Sequence, residues 1–217
     1  MNLQTFLFNF FRVHTMVAWL DGRSDCIVVD PGDCVEAEHA KLYQFLDSHN
    51  LKPAAILLTH GHPDHIFGVQ GLLDRYGCTV YMSADDDATL AFSADTADKL
   101  GMGLLRTDFP YTDARDGARI REAGMEFTVI ATPGHSPGGL SWYEEKEGVL
   151  FSGDTLFCGT IGRTDYPGGS LEDEIRSIRD KLLPLPSDTL VYPGHGLSTT
   201  IGHEIATNPL LGDDYLM

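Results

Sequence analysis

The chain is expected to fold as an α/β (α+β) protein, with sheet at its centre and helices outside. Three observations predict this. Apolar runs of strand length, bounded by Gly, Pro, Asn and Asp, recur along most of the chain. Segments of helical spacing lie between them, so the order is strands, then strands mixed with helices, then strands and helices again. Finally, 217 residues of which 42% are hydrophobic suffice for one sizeable core, and no repeat, low-complexity tract or Pro/Ser-rich linker divides them. A single domain over 1–217 is the expectation.

Thr5 to Phe11, Val13 to Leu20 and Cys26 to Asp30 read as three strands, with Asp21-Gly22 as a turn and Asp30-Pro31-Gly32 as a stop. A helix follows from about Val35 to His49, with the stripe Val35, Leu42, Leu46 and Asn50 as its cap. His39 and His49 belong to no cluster and read as structural. Ala54 to Thr59 is a buried strand, and Ile66, Val69, Leu72, Leu73 and Tyr76 repeat at helical spacing until Gly77. Thr79 to Met82 is a short strand. Periodicity weakens from Ser83 to Gly117, where Asp85-Asp86-Asp87 reads as a solvated helix start, since three adjacent carboxylates cannot all face one ion. Phe92, Phe109 and Tyr111 there suit either a lid or the core. Strands resume at Glu126 to Ala131, Leu140 to Tyr143 and Val149 to Ser152. Ser170 to Leu183 is a helix: Ser170 and Asp173 resemble a capping box, Leu171, Ile175, Ile178 and Leu182 share a face, and Pro184 ends it. Thr189 to Tyr192 is the last strand, and a short helix around Ile201 to Ala206 stops before Asn208-Pro209.

Fifteen basic residues against 32 acidic ones give a net charge of −17. That argues against nucleic acid, whose phosphates need clustered Lys and Arg, and against docking on anionic membrane. Cys26, Cys34, Cys78 and Cys158 form no C-x-x-C motif, so free buried thiols in a reducing compartment are expected. Met1 to Phe11 carries no basic residue and is interrupted by Asn9, a poor signal peptide. No apolar stretch reaches the ~20 residues of a membrane span. A soluble, cytoplasmic protein is the expectation.

The chemistry is concentrated in Thr59-His60-Gly61-His62-Pro63-Asp64-His65, directly after an apolar run. Imidazole nitrogen and carboxylate oxygen are ligands for a divalent transition metal. The spacing H-x-H-x-D-H is too tight for one helix face and suits a loop leaving a strand end, shaped by Gly61 and Pro63. Asp64 sits where carboxylates also cap helices, which is its alternative role. Three later stretches repeat the pattern of an apolar strand running into a Gly-flanked turn: Val129 to His135, Val149 to Asp154 and Leu190 to His195. Brought together from one sheet, His60, His62, Asp64, His65, His135, Asp154 and His195 are too many donors for one tetrahedral zinc and suit two metals sharing a carboxylate. Such a pair lowers the pKa of water from 15.7 to about 7, so no Ser-His-Asp or Cys-His nucleophile is required. His14 reads as a strand residue or a lining of the site mouth, and His203 as surface; Cys158, four residues past Asp154, reads as a small buried core thiol, with approach to the metals as its alternative.

T-H-G-H-P-D-H, T-P-G-H-S-P-G, S-G-D-T-L-F and Y-P-G-H-G together resemble the metallo-β-lactamase-fold hydrolases, from Asp30-Pro31-Gly32 to Asn208-Pro209. The resemblance implies a four-layer αββα sandwich with two divalent metal ions, zinc foremost and iron or manganese as alternatives, at one edge. It implies His60, His62 and His135 on the first metal, Asp64, His65 and His195 on the second, and Asp154 bridging. Asp64 and Asp154 are thereby the expected catalytic carboxylates. Asp30 matches a family aspartate that supports the site without ligation; an ordinary strand-end turn is its other reading.

G-D-T-L-F-C-G-T-I-G-R-T-D-Y-P-G-G and G-H-G-L-S-T-T-I-G-H-E look like the glyoxalase II branch, thioester hydrolases acting on S-lactoylglutathione and related hydroxyacyl thioesters. A small-molecule thioester is then the expected partner, attacked at its carbonyl by metal-held hydroxide. Arg163, and more weakly Tyr166, occupy the region where that branch binds substrate; a surface salt bridge is the other reading of Arg163. The helical domain that supplies glutathione contacts in the larger enzymes has no counterpart after His195, so the chain resembles the small bacterial variety and glutathione itself is in question. Two other readings remain: a persulfide-dioxygenase-like enzyme using one iron, and a non-catalytic metal-binding scaffold. β-Lactam hydrolysis and nuclease activity rank below these.

Overall fold

The structure, a computed structural model, describes residues 1–99, 101 and 103–211. Two six-stranded sheets face each other. The first contains β1 (Asn2–Phe8), β2 (Val13–Trp19), β3 (Asp25–Val29), β4 (Lys52–Leu57), β5 (Thr79–Met82) and β6 (Thr112–Asp113), in that order. The second contains β7 (Arg119–Glu122), β8 (Met125–Ala131), β9 (Leu140–Glu144), β10 (Val149–Gly153), β13 (Leu190–Pro193) and β14 (Thr199–Thr200). Between β10 and β13 a small antiparallel hairpin intervenes, β11 (Leu156–Phe157) with β12 (Thr160–Ile161).

The period-two alternation of strand side chains accounts for the layering. Met16, Ala18, Ile27, Val29, Ala55 and Leu57 point inward and meet Phe127, Val129, Leu140, Trp142 and Phe151 of the second sheet. The intervening residues Val17, Cys26, Val28 and Ile56 point the other way, onto α1 (Glu36–Ser48) and α3 (Val69–Tyr76) through Leu42, Leu46, Val69 and Leu72. On the opposite outside, Leu150 and Val191 meet Ile178, Leu182 and Ile201, from the segment after α5 (Leu171–Ser177) and from α6 (Ile201–Thr207). Helix, sheet, sheet, helix is the four-layer αββα order. Strands buried on both faces read as continuous apolar runs, as Val149 to Phe151 does.

β3, β4 and β5 run parallel, as do β10 and β13. β8 pairs antiparallel with β9, and β9 antiparallel with β10, so β8 shares the direction of β10. All these strands therefore finish at one edge, where α/β sheets place their ligand sites.

Several expectations shift. Val35 is the extended residue before α1, 52% exposed, and Leu171 at the start of α5 is 53% exposed, because first-turn residues precede the packed stripe. The helix expected from Ile66 is broken into α2 (Pro63–Ile66) and α3 by Gly68. A Cβ on Gly68 would lie 1.9 Å from Asp33 Oδ1, so only glycine admits this approach. Ser170 Oγ accepts the Asp173 amide, but the Ser170 amide donates to Gly134 O, so the cap is half of a box. That helix continues past α5 as a π-turn over Ile178–Leu182.

Asp85-Asp86-Asp87 is not wholly solvated. Asp85 and Asp87 are exposed, but Asp86, just before α4 (Asp87–Thr96), is fully buried. Cys158 is not a core thiol either: it sits in the tight β11–β12 turn and is exposed, while Cys26 is buried and Cys34 and Cys78 are half-buried. Phe109 joins the core beside α3. Leu100 and Met102, within the stretch read as lid or core, lie outside the described residues. His39 and His49 are structural: His39 Nδ1 is 2.6 Å from Asp33, and His49 packs on Phe45 and Trp19. His203 is exposed. Among the described residues, no helix is long and apolar enough to cross a membrane.

Candidate metal centre

β4 delivers the histidine loop, and Asp30 at the end of β3 receives it. Asp30 is buried and has positive φ (+47°); its carboxylate accepts the Thr59 amide at 2.8 Å and the Thr59 hydroxyl at 2.6 Å. Because that hydroxyl donates to Asp30, it accepts from His60 Nδ1–H at 3.1 Å. His60 Nε2 is then a bare lone pair, buried and without a partner among the described residues. Asp86 fixes the next residue by accepting the Gly61 amide at 2.7 Å, and the Ser93 hydroxyl donates to Gly61 O. Pro63 is the first residue of α2, and past it the His65 ring comes to 4.1 Å from that of His60. His65 Nδ1 lies 2.9 Å from Asp30, leaving Nε2, also buried and unpartnered, toward Asp154 at 3.4 Å and Asp64 at 3.7 Å.

The other loops arrive with the same logic. After β8, the His135 amide donates to buried Glu174 and His135 Nδ1–H to Arg163 O at 2.7 Å, which aims Nε2 inward. After β13, His195 Nδ1–H donates to Phe11 O at 3.1 Å, leaving Nε2 at 3.2 Å from Asp64 and 3.5 Å from Asp154. His14 assists: its amide donates to Gly194 O and its Nδ1–H to Pro193 O, pinning this loop to β2. A Cβ at Gly194 would lie 2.2 Å from Asp154 Oδ1, so the crowding around that carboxylate demands glycine. Asp154, after β10, sits at the middle, and its Oδ1 has no hydrogen-bond partner among the described residues.

All seven sequence-predicted donors therefore converge. Ligand atoms of His60, His62 and His135 lie within 4.8 Å of one another, as do those of Asp64, His65 and His195, and Asp154 groups with His60 and His65. Divalent cations fit this set. His62 Nδ1 and His135 Nε2 stand 2.9 Å apart, so a proton or a cation has to lie between two electron pairs. Burial and the neighbouring imidazoles push His60 well down and His62 down to about 3, keeping them neutral as ligands must be. Burial opposes charge on His65 as well, but Asp154, Asp64 and Asp30 overcome it and raise its pKa well above the usual value. Burial would raise Asp154, yet His65, His135 and His195 hold it far below the usual carboxylate range. Metal ions would replace those protons as the counter-charge.

Five of the donors, His62, Asp64, His135, Asp154 and His195, floor an open pocket of about 390 Å³. Its walls are Phe11, Pro63, Phe92, Thr96 and Tyr166, with Arg163 at the rim. Phe92 thus serves the site while Phe109 serves the core. Arg163 meets both sequence expectations: it lines the pocket, yet it is engaged in an exposed bidentate ion pair with Asp165, both contacts at 2.7 Å. Tyr166 stands 5.2 Å, ring to ring, from His62.

Asp86 and Glu174 escaped the sequence reading. Burial pushes Glu174 up to about 9, even though it accepts the His135 amide at 2.8 Å. Neither lies in a ligand motif, and only the fold shows which amides they receive. Cys158, His203 and Glu204 also bring ligand-type atoms together, but Glu204 is taken up by Thr199, Asn208 and the Gly159 amide.

Asp30 tests how far support without ligation matters. Asp30→Asn replaces the acceptor that orients His65, and is expected to weaken metal binding about 10–100-fold while the chain still folds. Competition against a chromogenic chelator measures it; unchanged affinity would reduce Asp30 to a turn residue.

The metallo-beta-lactamase superfamily model matches residues 10–195. "Hydroxyacylglutathione hydrolase GloC" of Haemophilus influenzae is 36% identical, over 97% of this chain and 98% of its own length. Among solved structures, BLEG-1, described as a B3 metallo-beta-lactamase, superposes with a TM-score of 0.87 at 36% identity, covering 97% of this chain and 99% of its own. TTHA1623, solved in a di-iron-bound form, gives 0.86 at 33% identity, covering 96% and 100%.

Proposed function

The chain belongs to the metallo-beta-lactamase superfamily, and from that premise we propose that it hydrolyses hydroxyacyl thioesters at a centre of two divalent metal ions. The observation that carries this reading is the convergence of seven donors, with Asp154 between two sets, five of which line one open pocket. His60, His62 and His135 would hold the first ion, Asp64, His65 and His195 the second, and Asp154 both. When bound, ions of this kind, zinc or alternatively iron or manganese, supply Lewis acidity and acidify water toward neutrality.

The chain's own residues do the rest. Hydrogen bonds from Nδ1–H to Arg163 O, Phe11 O and Thr59 Oγ1 keep three imidazoles in the tautomer that leaves Nε2 free for the donor cluster. Phe11, Phe92 and Tyr166 exclude water from one side of a bound acyl group. Beyond the donors, the described wall residues add no carboxylic acid or imidazole, so the side chain left to protonate a leaving atom is the weakly acidic Tyr166 phenol. A thiolate, whose parent thiol has a pKa of about 8.5, leaves without that help, whereas an amine does not. The pocket therefore suits a thioester better than an amide.

The test is release of free thiol from S-D-lactoyl thioesters by metal-analysed protein. Release with about two metals per chain is expected. A fully loaded protein that releases no thiol, but opens a β-lactam or consumes oxygen with a persulfide, would sink the reading.

A further inference from the structure

The pocket mouth carries information about the half of the substrate that leaves. It is built from Phe11, Phe92 and Tyr166, with Phe92 and Tyr166 rings 6.5 Å apart and inclined by 50°. Phe10 extends this surface, 60% exposed and in ring contact with Phe11 at 4.1 Å. Among the described residues that line the pocket, one cation occurs, Arg163.

That cation is already engaged. Arg163 Nε and Nη2 each reach one oxygen of Asp165 at 2.7 Å, a fork-to-fork pair, and Nη1 donates to the Tyr166 hydroxyl at 3.3 Å, so both edges of the guanidinium carry a partner. Its guanidinium also lies 4.4 Å over the Tyr166 ring. Its own carbonyl receives His135 Nδ1–H, so the backbone at this position is tied to the ligand set. A chain of net charge −17 adds a field that disfavours anions at long range. Glutathione brings two carboxylates and one ammonium, and among the described residues lining this pocket no Lys or Arg besides Arg163 is there to answer a second carboxylate.

Resting on the thioesterase reading, we infer that the preferred substrate carries a neutral, apolar thiol arm packed against Phe11, Phe92 and Tyr166. Asp165 is then a specificity-determining residue, because it holds Arg163 away from anionic thiols. This pairing is short-range and exposed, so its effect is on selection between substrates rather than on the fold.

Two esters with the same acyl group isolate the thiol: S-D-lactoyl-N-acetylcysteamine, neutral, and S-D-lactoylglutathione, anionic. With metal-loaded protein, kcat/KM is expected to favour the neutral ester by about tenfold or more. Asp165→Asn, by freeing Arg163, should raise kcat/KM for the glutathione ester about two- to fivefold at low salt, fading as salt rises, with the neutral ester nearly unmoved. Phe92→Ala should cost the neutral ester about tenfold, mainly through KM. Equal or better turnover of the glutathione ester by the wild-type chain overturns the inference and leaves the thioesterase reading standing. Turnover of neither ester by loaded protein overturns both. An Asp165→Asn variant with an unchanged ratio of the two esters removes the role given to Asp165.

Discussion

Asp154→Asn is expected to lower thioester turnover by about a thousandfold and to drop metal content from about two ions per chain to one or none. The carboxylate lies 3.4 Å from His65 Nε2, 3.6 Å from His135 Nε2 and 3.5 Å from His195 Nε2, so it is shared by both donor sets. An amide keeps the shape but loses the charge and one of the two oxygens that could serve as ligands. Asp64→Asn is the informative companion. Asp64 belongs only to the His65–His195 set, so that variant should retain the ion held by His60, His62 and His135. Metal analysis of the two variants side by side separates a bridging carboxylate from a terminal one. Two ions retained by Asp154→Asn with turnover intact would refute the bridging role.

The seven donors were legible in the sequence because each follows a strong apolar strand by a few residues, and strand direction does the rest. His60, His62, Asp64 and His65 follow β4, His135 follows β8, Asp154 follows β10 and His195 follows β13. Parallel direction brings their ends together, so local pattern plus one topological rule is enough. What stayed hidden depends on partners far along the chain. Glu174 reads as an ordinary acidic residue in a helix, but its carboxylate receives the His135 amide across 39 residues. His14 reads as a strand residue until the Pro193 carbonyl is found opposite it. The β6, β11, β12 and β14 strands are two residues each, too short for any periodicity to register. Cys158, expected as a core thiol, is exposed by the tight hairpin turn in which it sits.

The largest misreading, Asp86, points to the second strong effect. One carboxylate accepts the Gly61 amide at 2.7 Å, the Gly138 amide at 2.7 Å, the Ser136 hydroxyl at 3.1 Å and the Thr89 hydroxyl at 3.0 Å. These donors come from the His60–His62 loop, the His135 loop and the start of α4, so Asp86 joins three segments at a point closed to water. Asp86→Ala leaves two backbone amides without an acceptor in a buried cavity, each costing about 1–3 kcal/mol. The expected loss is on the order of 3–5 kcal/mol in the metal-free protein, read as a lower urea midpoint at unchanged slope. Hydroxyls can rotate to other acceptors, which is why the two amides set the scale. Asp85→Ala, one residue away but exposed, should stay within about 0.5 kcal/mol and controls for removing a negative charge. Metal binding should weaken along with stability, because His62 and His135 no longer have their loops fixed at a common point. An Asp86→Ala protein with the wild-type midpoint and full metal affinity would mean that the two loops hold their shape without this carboxylate, leaving Asp30 and the strand ends as the determinants of the site's geometry.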